Sequence, residues 1–205
     1  MGWRLRLLAL LGEVNGRPRE ALRRALYWQG FGELNGPVFV HPSADWGAVF
    51  DALTQEGLQD AVSALVPFTA QTPDVLGAGT ARDVVHRAWD LQQLGLDYAA
   101  FVRCYLPIEN ALNQVGNSLQ PALAFQIRLL LLHDFRRLLL RDPLLPEALL
   151  PEQWPGVEAR ILCRAVYKCL WEASEHYLAD TLQLADGAPL QHAAQVPDPM
   201  AAWLL

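Results

Sequence analysis

The chain has 205 residues, 52% hydrophobic and 19% charged, with 14 Gly and 14 Pro, which excludes disordered, collagen-like and low-complexity classes. That length accommodates one large globular domain or two small ones. The 16 Lys plus Arg stand against 22 Asp plus Glu, a formal net charge of -6, so DNA contact would require a local basic patch.

Lys168 is the sole lysine, so nearly all positive charge is guanidinium, a bias that a GC-rich source explains as readily as a functional demand. Cys104, Cys163 and Cys169 are odd in number and form no CxxC; no disulfide framework or zinc site is expected, and a reducing cytoplasm is the expected location. Residues 1–11 carry Arg4, Arg6 and an apolar run, but no small-residue cleavage site precedes Glu13, so no secretory signal is expected. Residues 129–140 are apolar but interrupted by His133, Asp134, Arg136 and Arg137, each costly at a bilayer centre. A soluble protein without a membrane partner is expected.

Residues 3–10 begin with period-two alternation and turn wholly apolar, predicting a strand entering a buried sheet that ends at residues 12–16. Pro18 suits the first turn of a helix with Leu22, Ala25 and Leu26 on one face, Arg19, Arg23 and Arg24 on the others, and Gly30 as its stop. Asn35-Gly36 within residues 32–41 predicts a hairpin of two short strands. Asp45 caps a helix bearing Trp46, Val49, Phe50 and Leu53, closed by Gly57, and residues 61–70 read as a last strand. The order β-α-β-β-α-β over residues 1–70 predicts a ferredoxin-like domain with both helices on one face of an antiparallel sheet.

Residues 71–79 are rich in breakers and read as a linker, and residues 80–205 as an all-helical domain, an α+β organisation overall. Thr80 and Asp83 open a helix that stops at Gly95, and Asp97 caps the next, with Tyr98, Phe101, Val102 and Tyr105 on one face before Pro107 kinks or ends it. A third helix covers about residues 120–140. After the proline-rich residues 142–156, a fourth carries Leu162, Val166, Cys169 and Ala173 on one stripe, with Cys169 expected to be buried.

On the third helix, His133, Asp134, Arg136, Arg137 and Arg141 fall within a half-turn arc. Such an arc is either a solvated face whose Asp134 pairs with Arg137 or which ties down the proline loop, or an anion site, since guanidinium forks bind phosphate or carboxylate bidentately. Trp89, Tyr98 and Phe101 are either core or the wall of an apolar pocket. His41, His86, His176 and His192 show no metal-ligand spacing, and no GxSxG, Walker loop or GxGxxG occurs. Neither metal nor cofactor, nor a catalytic residue, is expected.

The run Leu131-Leu-His-Asp-Phe-Arg-Arg137, then Arg141-Asp142-Pro143 and Pro146, Leu149-Leu-Pro151 and Trp154-Pro-Gly156, resembles the signature of PaaX-type repressors of phenylacetic acid degradation. Leu26-Tyr-Trp-Gln-Gly-Phe-Gly32 is similar to the family's ferredoxin-like (Cas2-like) central domain, and Trp89, Tyr98, Phe125 and Arg128 match its helical part. The resemblance covers about residues 3–180 and is most specific over residues 142–156.

It implies a dimerising, effector-sensing, non-enzymatic regulator released from DNA by phenylacetyl-CoA or a related CoA thioester. Family members carry a winged helix ahead of the first ferredoxin-like strand; that strand begins here at Trp3, so DNA contact is expected only through a winged-helix domain absent from this chain. The apolar Leu10 stands where the family tends to carry an acidic residue, which disfavours metal-dependent phosphodiester cleavage. Implied effector residues are His133, Arg136, Arg137, Arg128, Trp89 and Tyr98, with Asp142, Pro143, Pro146, Trp154 and Gly156 as the structural motif. The rival readings are an enzyme acting on an aryl-CoA thioester and a ligand-free dimerisation module.

Overall fold

The computed structural model describes residues 5–10, 16–35, 38–70 and 81–181. The elements in chain order are β1 (Leu5–Leu10), α1 (Arg17–Trp28), β2 (Gly32–Asn35), β3 (Val38–His41), α2 (Trp46–Gln55), α3 (Gln59–Val62), β4 (Leu65–Ala70), α4 (Ala81–Ala88), α5 (Leu91–Val115), α6 (Pro121–Leu139) and α7 (Pro155–Thr181). The fold is mixed and mostly helical with one small antiparallel sheet. By contact the chain forms two compact units, residues 1–94 with 140–152 and residues 95–139 with 153–205. The expected linker at 71–79, the hairpin turn at Gly36, Trp3, Glu13 and His192 all lie outside the described residues.

In the first unit the strand order is β2-β3-β1-β4. Every neighbour is antiparallel, with Leu7 opposite Val40 and Leu8 opposite Pro67. Pro67, which cannot donate to a ladder, lies on the edge strand β4. Leu7 and Leu8 are both fully buried although successive strand residues face opposite ways, so both faces of the sheet are covered. Leu8, Leu10 and Phe39 pack with Leu22, Leu26, Val49 and Leu53 of α1 and α2, while Leu7 and Val40 pack with Val84 of α4. The second cover explains why the strand turns apolar on both sides from Leu7 onward rather than continuing to alternate.

Two helix ends of this unit form as the sequence indicates. After α1, Phe31 N donates to the Leu26 carbonyl and Gly30 N to that of Tyr27, each at 3.0 Å, with Gly30 at φ 85°. This 6→1, 5→2 pair needs a left-handed residue that glycine adopts without a Cβ penalty. At α2, Asp45 Oδ1 accepts from Gly47 N at 3.0 Å, one of the donors that a helix start leaves open. The last strand starts at Leu65 rather than 61, because Gln59–Val62 form a short helical turn that buries Ala61.

The helix expected to run to Gly95 breaks instead at Trp89-Asp90. There Asp90 Oδ1 accepts from Gln93 N at 2.9 Å and opens α5, which continues through Gly95 and Pro107 to Val115. A helix-interior proline costs about 3 kcal/mol, offset here by burial of Phe101, Tyr105 and Leu112 along the same helix.

In the second unit α6 packs on α7, with Ala124, Leu131, Phe135 and Leu138 facing the buried stripe of Ala159, Leu162, Cys163, Val166, Tyr167 and Leu170. The stripe is rotated from the expected one: Cys163 is buried, and Cys169 is exposed with Sγ 3.9 Å from Asn113 Oδ1. Burial raises the Cys163 thiol pKa to about 12. Among the described residues no helix is long and apolar enough to cross a membrane.

Candidate functional site

Within the first unit lies a cleft of about 480 Å³. Glu20, Arg23, Arg24 and Tyr27 recur at i, i+3, i+4, i+7 along α1, which places them on one helix face, opposite the buried Leu22, Ala25 and Leu26. Phe31, Gly32, Glu33 and Phe39 supply the sheet side. Ala88 to Leu94 contribute the turn between α4 and α5, with Trp89 foremost, and Arg141 with Pro143 completes the lining.

Trp89 is held from two directions. Its Nε1 donates to the Gly30 carbonyl at 3.3 Å, and its ring passes so close to Gly32 that a Cβ there would meet Trp89 Cε2, Ala88 Cβ and the Ala88 carbonyl oxygen at 2.7 Å. Glycine at 32 thus lets β2 approach α4. Arg23 is engaged by carboxylates, 2.8 Å to Glu33 and 3.5 Å to Glu20. Arg24 is exposed and has no ion-pair or hydrogen-bond partner among the described residues. Among the described residues the cleft lining contains no His, Cys, Ser or Thr; its polar side chains are carboxylates, guanidiniums, the Tyr27 phenol, the Gln93 amide and the Trp89 indole N–H.

The effector residues implied by the sequence divide between the units. Trp89 lines the cleft. Tyr98 is buried in the second unit, edge-on to Trp154 with ring centroids 5.7 Å apart. Arg128 pairs with Glu175 and lies 4.6 Å from the Trp171 ring and 5.1 Å from that of Tyr167, its side chain only 14% exposed. His133, Arg136 and Arg137 share the exposed side of α6. Arg141 lies past the end of α6 and belongs to the first unit, so the expected arc is split. Asp134 accepts from Tyr105 Oη at 2.9 Å; burial, then that bond, raises the phenol pKa.

The proline segment is built by local bonds. Asp142 Oδ1 accepts from Leu144 N at 2.9 Å, and Leu144 has φ 50°. Leu149 N donates to the Pro146 carbonyl at 2.8 Å, and Arg82 Nε reaches the Ala148 carbonyl at 3.4 Å. Gly156 lies directly beneath the Trp154 indole, where a Cβ has no room.

The α1 stripe is not legible in the sequence, because its arginines have the spacing of the polar side of an amphipathic helix. The signal that identifies it is Tyr27, an aromatic residue in register with two arginines and a glutamate. Among the described residues no group of three or more His, Cys, Asp or Glu is placed to hold a metal.

Residues 89–180 match the PaaX-like protein C-terminal domain family. The chain is 35% identical over 179 residues to the transcriptional repressor PaaX of Escherichia coli (strain K12), covering 87% of this chain and 56% of that protein. It thus spans a little over half the length of the curated relative it matches. An uncharacterized protein from Mycobacterium tuberculosis shares the fold, with a TM-score of 0.54 at 21% identity over 84% of this chain and 62% of that one.

Proposed function

Since this chain carries the PaaX-like C-terminal domain and is a PaaX-type relative, we propose that it is the effector-binding and dimerisation portion of a transcriptional repressor, responding to phenylacetyl-CoA or a related CoA thioester. The observation that carries this reading is the 35% identity extending over 87% of the chain, well beyond the helical domain alone. The role proposed is cytoplasmic and non-enzymatic, with DNA recognition through the winged-helix domain that the family resemblance implies. The sheet order β2-β3-β1-β4, antiparallel throughout, supports a ferredoxin-like reading of the first unit.

Exposed His133, Arg136 and Arg137 suit the phosphates of a CoA ligand, because guanidinium forks bind phosphate bidentately. Tyr98 and Arg128 then support the site through packing. Exposed apolar residues Leu130 and Ile161, 59% and 67% accessible, favour a homodimer.

The test is a thermal-shift panel of the whole chain with aryl-CoA thioesters and their free acids, because a ligand bound only by the native state raises stability by RT ln(1 + [L]/Kd). A rise in Tm with an aryl-CoA is expected. A flat panel with dimeric mass by light scattering would replace this reading with a ligand-free dimerisation module.

A further inference from the structure

We infer that the cleft of the first unit is the seat of the aromatic end of the ligand, a planar ring bearing a carboxyl-derived oxygen, and not of its polyphosphate. This rests on the effector-responsive reading above but makes a separate commitment about where and by what chemistry binding occurs.

Two observations carry it. The lining includes the aromatic side chains Trp89 and Tyr27, with the buried Phe31 beside them, and a pocket of about 480 Å³ accepts a ligand a few rings in size. Trp89 is fixed by its bond to the Gly30 carbonyl and by close contact at Gly32, so its face is set before ligand arrives and little side-chain freedom is lost on binding.

The second observation is charge. Three carboxylates, Glu20, Glu33 and Asp90, offset the three guanidiniums Arg23, Arg24 and Arg141, so the lining is neutral overall. A polyphosphate would meet those carboxylates as well as the arginines. Arg23 is already engaged by Glu33 and Glu20, whereas Arg24 has no such partner among the described residues and is available to one oxygen. That oxygen is either a free carboxylate or the carbonyl of a thioester.

Four probes distinguish the sources when titrated calorimetrically into the full chain: phenylacetate, phenylacetyl-pantetheine, CoA alone and cyclohexylacetate. Phenylacetyl-pantetheine or phenylacetate binds and the other two do not; the tighter of the first pair identifies the oxygen. Arg24→Ala, on an exposed helix face, leaves the Tm unchanged and weakens that ligand by about tenfold to a hundredfold. Trp89→Phe keeps a ring and weakens it less than Trp89→Leu.

Phenylacetyl-CoA, titrated as a fifth ligand and bound equally by wild type, Arg24→Ala and Trp89→Leu, would overturn the cleft assignment while leaving the effector reading standing. Tight, Arg24-dependent binding of CoA alone would overturn the aromatic selectivity. No binding of any aryl compound, the CoA thioester included, would overturn both readings.

Discussion

Arg128→Ala is the substitution whose cost the structure allows to be reasoned most fully. The guanidinium is withdrawn from water, with side-chain exposures of 14% for Arg128 and 20% for Glu175, and it lies within cation–π distance of both Tyr167 and Trp171. Removing one member of a fully buried pair costs about 3–5 kcal/mol because the survivor is left charged and unpartnered. The residual exposure of both residues discounts that to about 2–3 kcal/mol, and the lost ring contacts add about 1 kcal/mol. The total, about 3–4 kcal/mol, corresponds to a fall in Tm of about 6–16 °C for a chain of this size.

Equilibrium urea denaturation with a double-mutant cycle is the assay. Arg128→Met combined with Glu175→Met recovers much of the loss, since two apolar side chains leave no buried charge. An Arg128→Ala loss below about 1 kcal/mol, or additive single-mutant effects, would show that the pair is solvated and the reasoning wrong.

Gly32→Ala drives a Cβ into Ala88 and the Trp89 ring, and overpacking of this kind costs about 1–3 kcal/mol, read as a lower urea midpoint with altered tryptophan fluorescence. His41 has its pKa lowered by burial and then by Arg6, and its Nδ1 accepts from Ser43 N at 3.0 Å, which requires the unprotonated nitrogen. The unfolded chain therefore takes up the proton first, so this contribution is complete above the unfolded pKa of 6.5 and is lost as pH falls through the lower folded value. His41→Asn removes that slope from a plot of urea midpoint against pH. Leu144→Gly relieves a left-handed leucine worth about 1–2 kcal/mol of strain against a glycine entropy cost of about 0.5–1 kcal/mol, so the urea midpoint rises slightly.

Where local chemistry decides structure, the sequence is readable: Asp45 as a cap, Gly30 and Gly57 as stops, and the apolar run of residues 7–10 in β1 follow from backbone sterics and burial alone. The β-α-β-β-α-β order of the first 70 residues is present, with α3 as an addition. What local rules could not show depends on contacts distant in sequence. Gly95 and Pro107 act as helix breakers by propensity, yet α5 runs through both because its apolar residues are buried. Cys163 rather than Cys169 lies inside because the packing of α6, not periodicity alone, sets the phase of α7. For the site, Trp89 is singled out by the sequence and lines the cleft. The stripe of Glu20, Arg23, Arg24 and Tyr27 is not singled out, since its meaning depends on Phe31 and Trp89 being brought opposite it.

The backbone leaves the first unit at residue 94 and returns to it at 140. What is one body in space is therefore two pieces in translation order. A chain stopped after α4 lacks Pro143 and Arg141 from the cleft lining and the Ala148 carbonyl that Arg82 Nε reaches. During synthesis the first unit waits, incomplete, until residues 95–139 have been made, and the entropy of closing that long loop falls on its final assembly. Premature termination or a proteolytic cut between α5 and α6 thus damages a unit that contains neither helix in full.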